Sequence, residues 1–303
     1  MDVHVIGGGL IGGAIAWRLA QRGYAVRVTD AGSFCGESSG AGAGMLSPHG
    51  ERFPSEEWRQ RALASLAAYP SFVRELERES GVSIDYVVCG AVELSEEGAE
   101  ETAYPDEAIV DPQDLGWALR TALERRQVEI REHERVDAVD THDGSARAWV
   151  IAAGAWSSNI RVNSEALPES YAVKGHLLGY DCAPGSLPAT LRQGHTYILQ
   201  RSSGFTIVGS NEEPRVLERM VDPAAAAALR ERGEALWPAL RELEPSRVWI
   251  GFRPASAAGH PWVERWRTTE PVWLAYGHFR NGILLAPWTA EQVAREIAAE
   301  LPS

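Results

Sequence analysis

Three glycines spaced Gly7-x-Gly9-x-x-Gly12, with a carboxylate at Asp30 after them, carry the clearest chemistry in this chain. Gly7 permits a tight turn, Gly9 lets backbone approach a pyrophosphate, and Gly12 lets a helix pack close on a strand. Leu10 and Ile11 sit between them and open the helix. A helix N-terminus there offers unpaired N–H groups and a positive dipole to phosphate. Asp30 closes the following strand, where a carboxylate accepts from ribose hydroxyls. Together these residues imply a bound dinucleotide and leave NAD and FAD both open. Two later segments favour FAD. Ser38-Ser39-Gly40-Ala41-Gly42-Ala43-Gly44-Met45 would let backbone run along a pyrophosphate and a flat ring. Trp149 to Ser157 reads as a buried strand ending in the small residues Ala153 and Gly154 before Trp156.

The elements that must position these residues follow from patterning. Val3–Ile6 reads as a buried strand, Leu10 to Ala20 as a helix ended by Gly23, and Ala25 to Thr29 as a second strand, a β-α-β unit. Glu56 to Glu79 has helical periodicity. Gly81 to Ser95 alternates like a strand pair around Gly90. Asp111-Pro112 is a helix start, with Asp as cap and Pro in the first turn, and that helix runs to about Arg126. Val128–Ile130, Val136–Val139 and Trp149–Ala152 are short strands. Beyond Tyr171 the strands are antiparallel in character, with a hairpin signal from Tyr197 to Val208. Pro223 to Leu243 reads as one helix, Val272–Ala275 as the last strand, and Ala290–Leu301 as the last helix.

The chain has 303 residues, with 29 Lys plus Arg against 42 Asp plus Glu, a net charge of −13. That sum weighs against nucleic acid and anionic membranes as partners. No run is long enough to span a bilayer, and no basic segment leads into an apolar one near Met1, so a cytoplasmic protein is expected. Cys35, Cys89 and Cys182 are far apart and in no metal spacing, which excludes a disulfide scaffold and a zinc ribbon. No metal site and no Ser-His-Asp set stand out.

At this point the sequence resembles the D-amino-acid oxidase superfamily of flavoproteins, and within it most closely the glycine oxidases of thiamin biosynthesis. The resemblance runs from end to end. It is sharpest at Gly277-His278-Phe279-Arg280-Asn281-Gly282-Ile283-Leu284-Leu285-Ala286-Pro287. It recurs at Ala43-Gly44-Met45-Leu46, Ala152 to Ser157, Val173-Lys174-Gly175-His176 and Gly251-Phe252-Arg253-Pro254. The resemblance implies an α/β (α+β) fold. A Rossmann-like FAD-binding domain (residues 1–80, 105–160 and 254–303) would be interleaved with a smaller, mostly antiparallel-sheet substrate domain (81–104 and 161–253). FAD would be held non-covalently. Arg253 would bind the substrate carboxylate with help from Tyr197. Arg280 would contact substrate, and Arg280-Asn281-Gly282-Ile283-Leu284 would lie against the flavin. Gly44 and Met45 would border its ring, and Val136 the adenine end. A planar guanidinium can grip a carboxylate bidentately, and such a charge-assisted bond is worth roughly 1.5–3 kcal/mol. His195, His260 and His278 read as satisfied or solvated, and hydride would pass directly from a small amino acid or amine to flavin N5, with O2 as the final acceptor. A homo-oligomer is compatible with this reading.

The sequence departs from that family in length. Material is missing between Glu93 and Asp111, where Leu94 to Ile109 is a short acidic bridge, and between Val139 and Ala148. Glu212 stands where an apolar pocket residue is expected. It would repel a carboxylate and attract an amine. Alternatives at this level are a D-amino-acid or sarcosine-type oxidase, a flavin dehydrogenase serving an electron carrier, a nicotinamide dehydrogenase, a tRNA-modifying flavoprotein, and a non-enzymatic flavin-fold binding protein.

Overall fold

In the computed structural model, which describes residues 1–95 and 101–301, Val3–Ile6 is the strand that patterning predicts, and its neighbours pair in parallel register. Val3 lies opposite Val26 on one side and Ala148 on the other. These strands belong to a six-stranded sheet in the order Trp262–Arg265, Val272–Tyr276, Ala148–Ile151, Val3–Ile6, Val26–Thr29, Glu129–Arg131. Only the first of these pairs antiparallel. The period-2 alternation of a strand sends its side chains to opposite faces. Val3, Val5, Val28, Val150 and Trp273 face one core, while Ile6, Trp149, Ile151, Leu274 and Tyr276 face another.

The first core is closed by helices. The α-helices of the described residues are α1 (Leu10–Gln21), α2 (Ser38–Ala41), α3 (Glu56–Ser80), α4 (Pro112–Arg125), α5 (Pro223–Leu236) and α6 (Gly282–Glu300). Of them α1, α3, α4 and α6 pack together on the sheet. Asp111 caps α4 by accepting from Gln113 N at 2.8 Å, with Pro112 in the first turn, as the sequence predicts. The second face is covered by a small sheet of Ala138–Val139, Arg161–Val162 and Glu165–Ala166.

A second large sheet of eight strands is mostly antiparallel. Its centre is Ser170–Asp181, which pairs with Phe205–Gly209, Glu213–Pro214 and Arg247–Ser256. The sheet continues through Thr196–Gln200, Thr190–Gln193, Ala91–Leu94 and Glu101–Tyr104. One pair in it, Thr190–Gln193 with Ala91–Leu94, is parallel. Helix α5 covers one face with Leu229 and Leu236 on Tyr180, Ile198 and Val208. The other face presents Leu177, Leu199 and Ile207 to Ala43 and Ile109. No helix among the described residues is long and apolar enough to cross a membrane.

Four sequence expectations need correction. Gly81–Ser95 is not a strand pair folded on itself: Tyr86–Val87 joins Ala108–Val110, whereas Ala91–Leu94 joins the eight-stranded sheet. The chain changes sheets at Gly90, which has φ +72°, and alternation says nothing about which partner a strand takes. The acidic bridge Leu94–Ile109 contains the strand Glu101–Tyr104 and most of Ala108–Val110; residues 96–100 of it lie outside the described residues. The helix predicted over Pro223–Leu243 ends at Leu236, since Pro238 cannot continue it. The last helix begins at Gly282 and passes through Pro287. Proline there removes the donor that the Ile283 carbonyl would use. Tyr69 Oη from α3 donates to that carbonyl at 2.6 Å, and Ser65 Oγ donates to the Leu284 carbonyl at 2.7 Å. The gap left by proline is thus closed by side chains from another helix.

Candidate active site

One cleft of about 430 Å³ runs between the two large sheets. At its floor the chain leaves Val3–Ile6 through Gly7, with φ +110°, where an added Cβ would sit 2.3 Å from the Ala152 carbonyl. At Gly12 a Cβ would come within 1.9 Å of the Gly7 carbonyl, so helix and turn can approach only without side chains. Gly12 lies under the turn, off the cleft wall. Gly7, Gly9, Leu10 and Ile11 line the wall. Gly9 is the N-cap of α1 and supplies no side-chain cap, and the one N–H so served is Leu10 N, which donates to Ser39 Oγ at 3.0 Å.

Asp30 lines the same end, and its carboxylate braces the loop by accepting from Gly8 N and Gly32 N, both at 2.7 Å. A carboxylate has about four acceptor positions, so two backbone bonds leave capacity for a sugar hydroxyl. Val136 lies beside this end of the cleft, and Ala153, Gly154 and Trp156 form the facing wall. Cys35 also lines it, and burial pushes its thiol up, which keeps it protonated and unreactive.

The small-residue run from Ser38 to Met45 joins the two sheets. Ser38 Oγ donates to the Phe252 carbonyl, and Trp249 Nε1 donates to the Ala41 carbonyl at 3.0 Å. Ser38, Ser39, Gly44 and Met45 all line the cleft. Glycine at 44 also has a packing cause, because with φ +84° its Cβ would meet the Val110 carbonyl at 1.8 Å.

At the opposite end Arg253 lies on Arg247–Ser256, opposite Val173. Its guanidinium lies over Gly175, where a Cβ would come within 2.6 Å of both Nη atoms. Nη1 donates to the Asn211 carbonyl at 3.1 Å and Nη2 donates to Ser210 Oγ, so both partners are neutral. Withdrawal from water is the main cause lowering its pKa. Tyr197 stands opposite Gly209, whose missing side chain leaves room for the ring and hydroxyl. Burial raises the Tyr197 hydroxyl pKa, against the opposing pull of Arg253 and Arg280.

Arg280 differs from Arg253 in its electrostatics. It lies in the turn Phe279–Asn281 and pairs with Glu51 at 3.0 Å and Glu212 at 3.5 Å. Its charge is already answered by the protein. Glu212 turns to Arg280 and is not part of the cleft wall. Asn281, Gly282 and Ile283 line the cleft, while Leu284 is buried in the core at 1% exposure. Gly282 begins α6 with no side-chain cap and no acid in its first turn. Two helix N-termini whose N-cap residues supply no side-chain cap, those of α1 and α6, therefore meet one cleft, and each favours negative charge.

The histidines are accounted for. His278 is buried, bonds to Thr289 Oγ1 at 3.1 Å, and burial lowers its pKa to about 3. His260 stacks on Trp58, and His195 is exposed. Among the described residues no three His, Cys, Asp or Glu stand together to hold a metal. Sequence reasoning missed Glu51, Ser210 and Asn211. They lie in connecting segments where no periodicity marks them. Gly175 and Gly209 carried a signal, a glycine inside a strand, which marks close approach of another group.

The arrangement fits FAD on three observations: a turn that tolerates no Cβ, a carboxylate at the sugar end, and two helix N-termini along one cleft whose N-cap residues supply no side-chain cap. A family model described as FAD dependent oxidoreductase (DAO) matches residues 2–104 and 98–296. A glycine oxidase of Pseudomonas putida is 30% identical over 94% of this chain and 91% of its own length. A bifunctional protein ThiO/ThiG of Synechocystis is 31% identical over 97% of this chain, which spans 51% of that relative. The crystal structure of a glycine oxidase from Geobacillus kaustophilus superposes with a TM-score of 0.92 at 25% identity, covering 98% of this chain and 94% of that one.

Proposed function

The chain belongs to the DAO family of FAD-dependent oxidoreductases, and we propose that it oxidises the amine of glycine or a comparably small amino acid to the imine. The observation that carries this reading is Arg253. It is a guanidinium on the wall of the dinucleotide cleft whose hydrogen-bond partners are both neutral. A positive charge withdrawn from water, with only neutral groups in direct hydrogen bonds to it, favours an anionic ligand. A planar fork matches a carboxylate, and Tyr197 can add a neutral donor beside it.

FAD, when bound, supplies the two-electron acceptor for the amine and passes the electrons on to oxygen as hydrogen peroxide. The protein's part is to fix the substrate and exclude water. Arg253 and Tyr197 hold the carboxylate at one end of the cleft. Gly175 and Gly209 give those two side chains their room. The imine then hydrolyses to glyoxylate or a keto acid plus ammonia, or feeds thiamin thiazole synthesis, the role the resemblance implies. The reading takes residues 1–80, 105–160 and 254–303 as the FAD-binding part and 81–104 with 161–253 as the substrate part. It takes the enzyme as cytoplasmic and as a candidate homo-oligomer, with a small amine and O2 as its partners.

The test is a peroxide assay of the purified yellow protein against glycine, sarcosine and D-amino acids. Turnover of at least one small amino acid supports the reading. Absence of peroxide together with absence of flavin reduction by all of them overturns it.

A further inference from the structure

We propose that Glu51 receives the ammonium of the substrate and accepts its proton, so that the amine is free when the C–H bond breaks. The inference rests on the amino-acid reading of the cleft and assigns a base to it.

The placement of the carboxylates argues for this residue. Four line the cleft: Asp30, Glu37, Glu51 and Asp137. Asp30 braces the glycine turn. Glu37 pairs with Arg219 at 2.9 Å, and Asp137 pairs with Arg135 at 2.6 Å beside the Val136 end. Glu51 is the one placed with Arg280, close enough to Arg253 for the two charges to interact. Its side chain is only 11% exposed.

The segment bearing Glu51 is held in place. Arg192 and Glu107 form an ion pair at 2.8 Å with both side chains nearly dry. Glu107 accepts from His49 N at 3.1 Å, and the Arg192 guanidinium packs against Gly50, where a Cβ would lie 2.6 Å from Cζ. The two residues before Glu51 are therefore clamped from below. A carboxylate has about four acceptor positions, and Arg280 and Asn281 do not use them all.

The charge count matches the ligand. Arg253 and Arg280 are positive, and Glu51 and Glu212 are negative. A zwitterion adds one charge of each sign and leaves the balance unchanged. Its carboxylate has Arg253, and its ammonium has Glu51, since Glu212 does not reach the cleft wall. The groups facing Glu51 are Arg280 and Asn281 from the turn before α6, Arg192 from Thr190–Gln193, Arg253 from Arg247–Ser256, and Glu212. Burial outweighs the pull of the arginines and raises the Glu51 carboxyl above its ordinary value, which makes it a stronger proton acceptor than an exposed carboxylate. His278, the histidine on the wall, is committed to Thr289. In the step, an N–H bond of the ammonium breaks, its electron pair stays on nitrogen, and an O–H bond forms on Glu51. The proton later leaves to solvent.

The test is anaerobic flavin reduction by glycine across pH for the wild type and for Glu51→Gln, both loaded with FAD. The expected result is a loss of about 100-fold in reduction rate near pH 7 in Glu51→Gln, of the size of general-base catalysis. That loss should shrink as pH rises, because free glycine then arrives already deprotonated. Flavin content and the binding of acetate, which has no amine, should be unchanged. A loss equal at all pH values, or none at all, overturns the proposal. If Glu51→Gln fails to hold FAD, Glu51→Asp is measured instead. A limb that stays in the acidic range supports the base, and one that moves to the amine's own pKa overturns it. If the wild type is not reduced by any amino acid at any pH, it is the function itself that fails.

Discussion

Replacing Arg253 by alanine should remove the substrate's carboxylate site and leave the cofactor in place. In the free protein its guanidinium holds only neutral partners, so its donors are available to a ligand. Two charge-assisted bonds at roughly 1.5–3 kcal/mol each give about 3–6 kcal/mol of lost grip. At 1.4 kcal/mol per tenfold this is a fall of about 10² to 10⁴ in kcat/KM for glycine. The side chain lies away from the glycine turn and Asp30, so the flavin absorbance per protein should not change. Stopped-flow reduction against glycine concentration measures the loss. Methylamine, which has no carboxylate, provides the internal control: the wild type should prefer glycine strongly, and Arg253→Ala should treat the two nearly alike. Arg253→Lys should fall between, because a point charge cannot reproduce the fork. The reasoning is refuted if Arg253→Ala loses FAD, or if it keeps the preference for glycine.

Gly175→Ala places a methyl 2.6 Å from that guanidinium, and should raise KM for glycine by about tenfold with flavin content unchanged, read by steady-state peroxide assays. Tyr69→Phe strips the donor from the Ile283 carbonyl beside Pro287, and should cost about 1–3 kcal/mol of stability, measured by urea unfolding. His278 has its folded pKa lowered by burial to about 3 from an ordinary 6.5, so its contribution to stability is present above pH 6.5 and lost as pH falls toward 3. The thermal midpoint of the wild type should fall across that window, and His278→Asn should flatten the fall; an unchanged slope would contradict the assignment.

How much of this was legible in the sequence varies with the physics behind each signal. The β-α-β unit was readable because a buried strand, a turn without Cβ atoms and a helix each leave a local mark within one stretch of thirty residues or so. The partners of Tyr86–Val87 and Ala91–Leu94 were not, because pairing is long-range and alternation is silent about it. The start of α6 was obscured by Pro287, whose cost is met by Tyr69 and Ser65, more than two hundred positions earlier. Arg253 and Tyr197 came from motif resemblance, whereas Glu51 sits in an irregular segment fixed by Arg192 and Glu107, a relation only the folded chain displays.

The most direct test of the central claim is an anaerobic titration of the FAD-loaded protein with glycine, followed at the flavin absorbance band. Glycine should bleach the band in the wild type, and Arg253→Ala should require concentrations at least about a hundredfold higher. A flavin that stays oxidised with glycine and with every other small amino acid would contradict it.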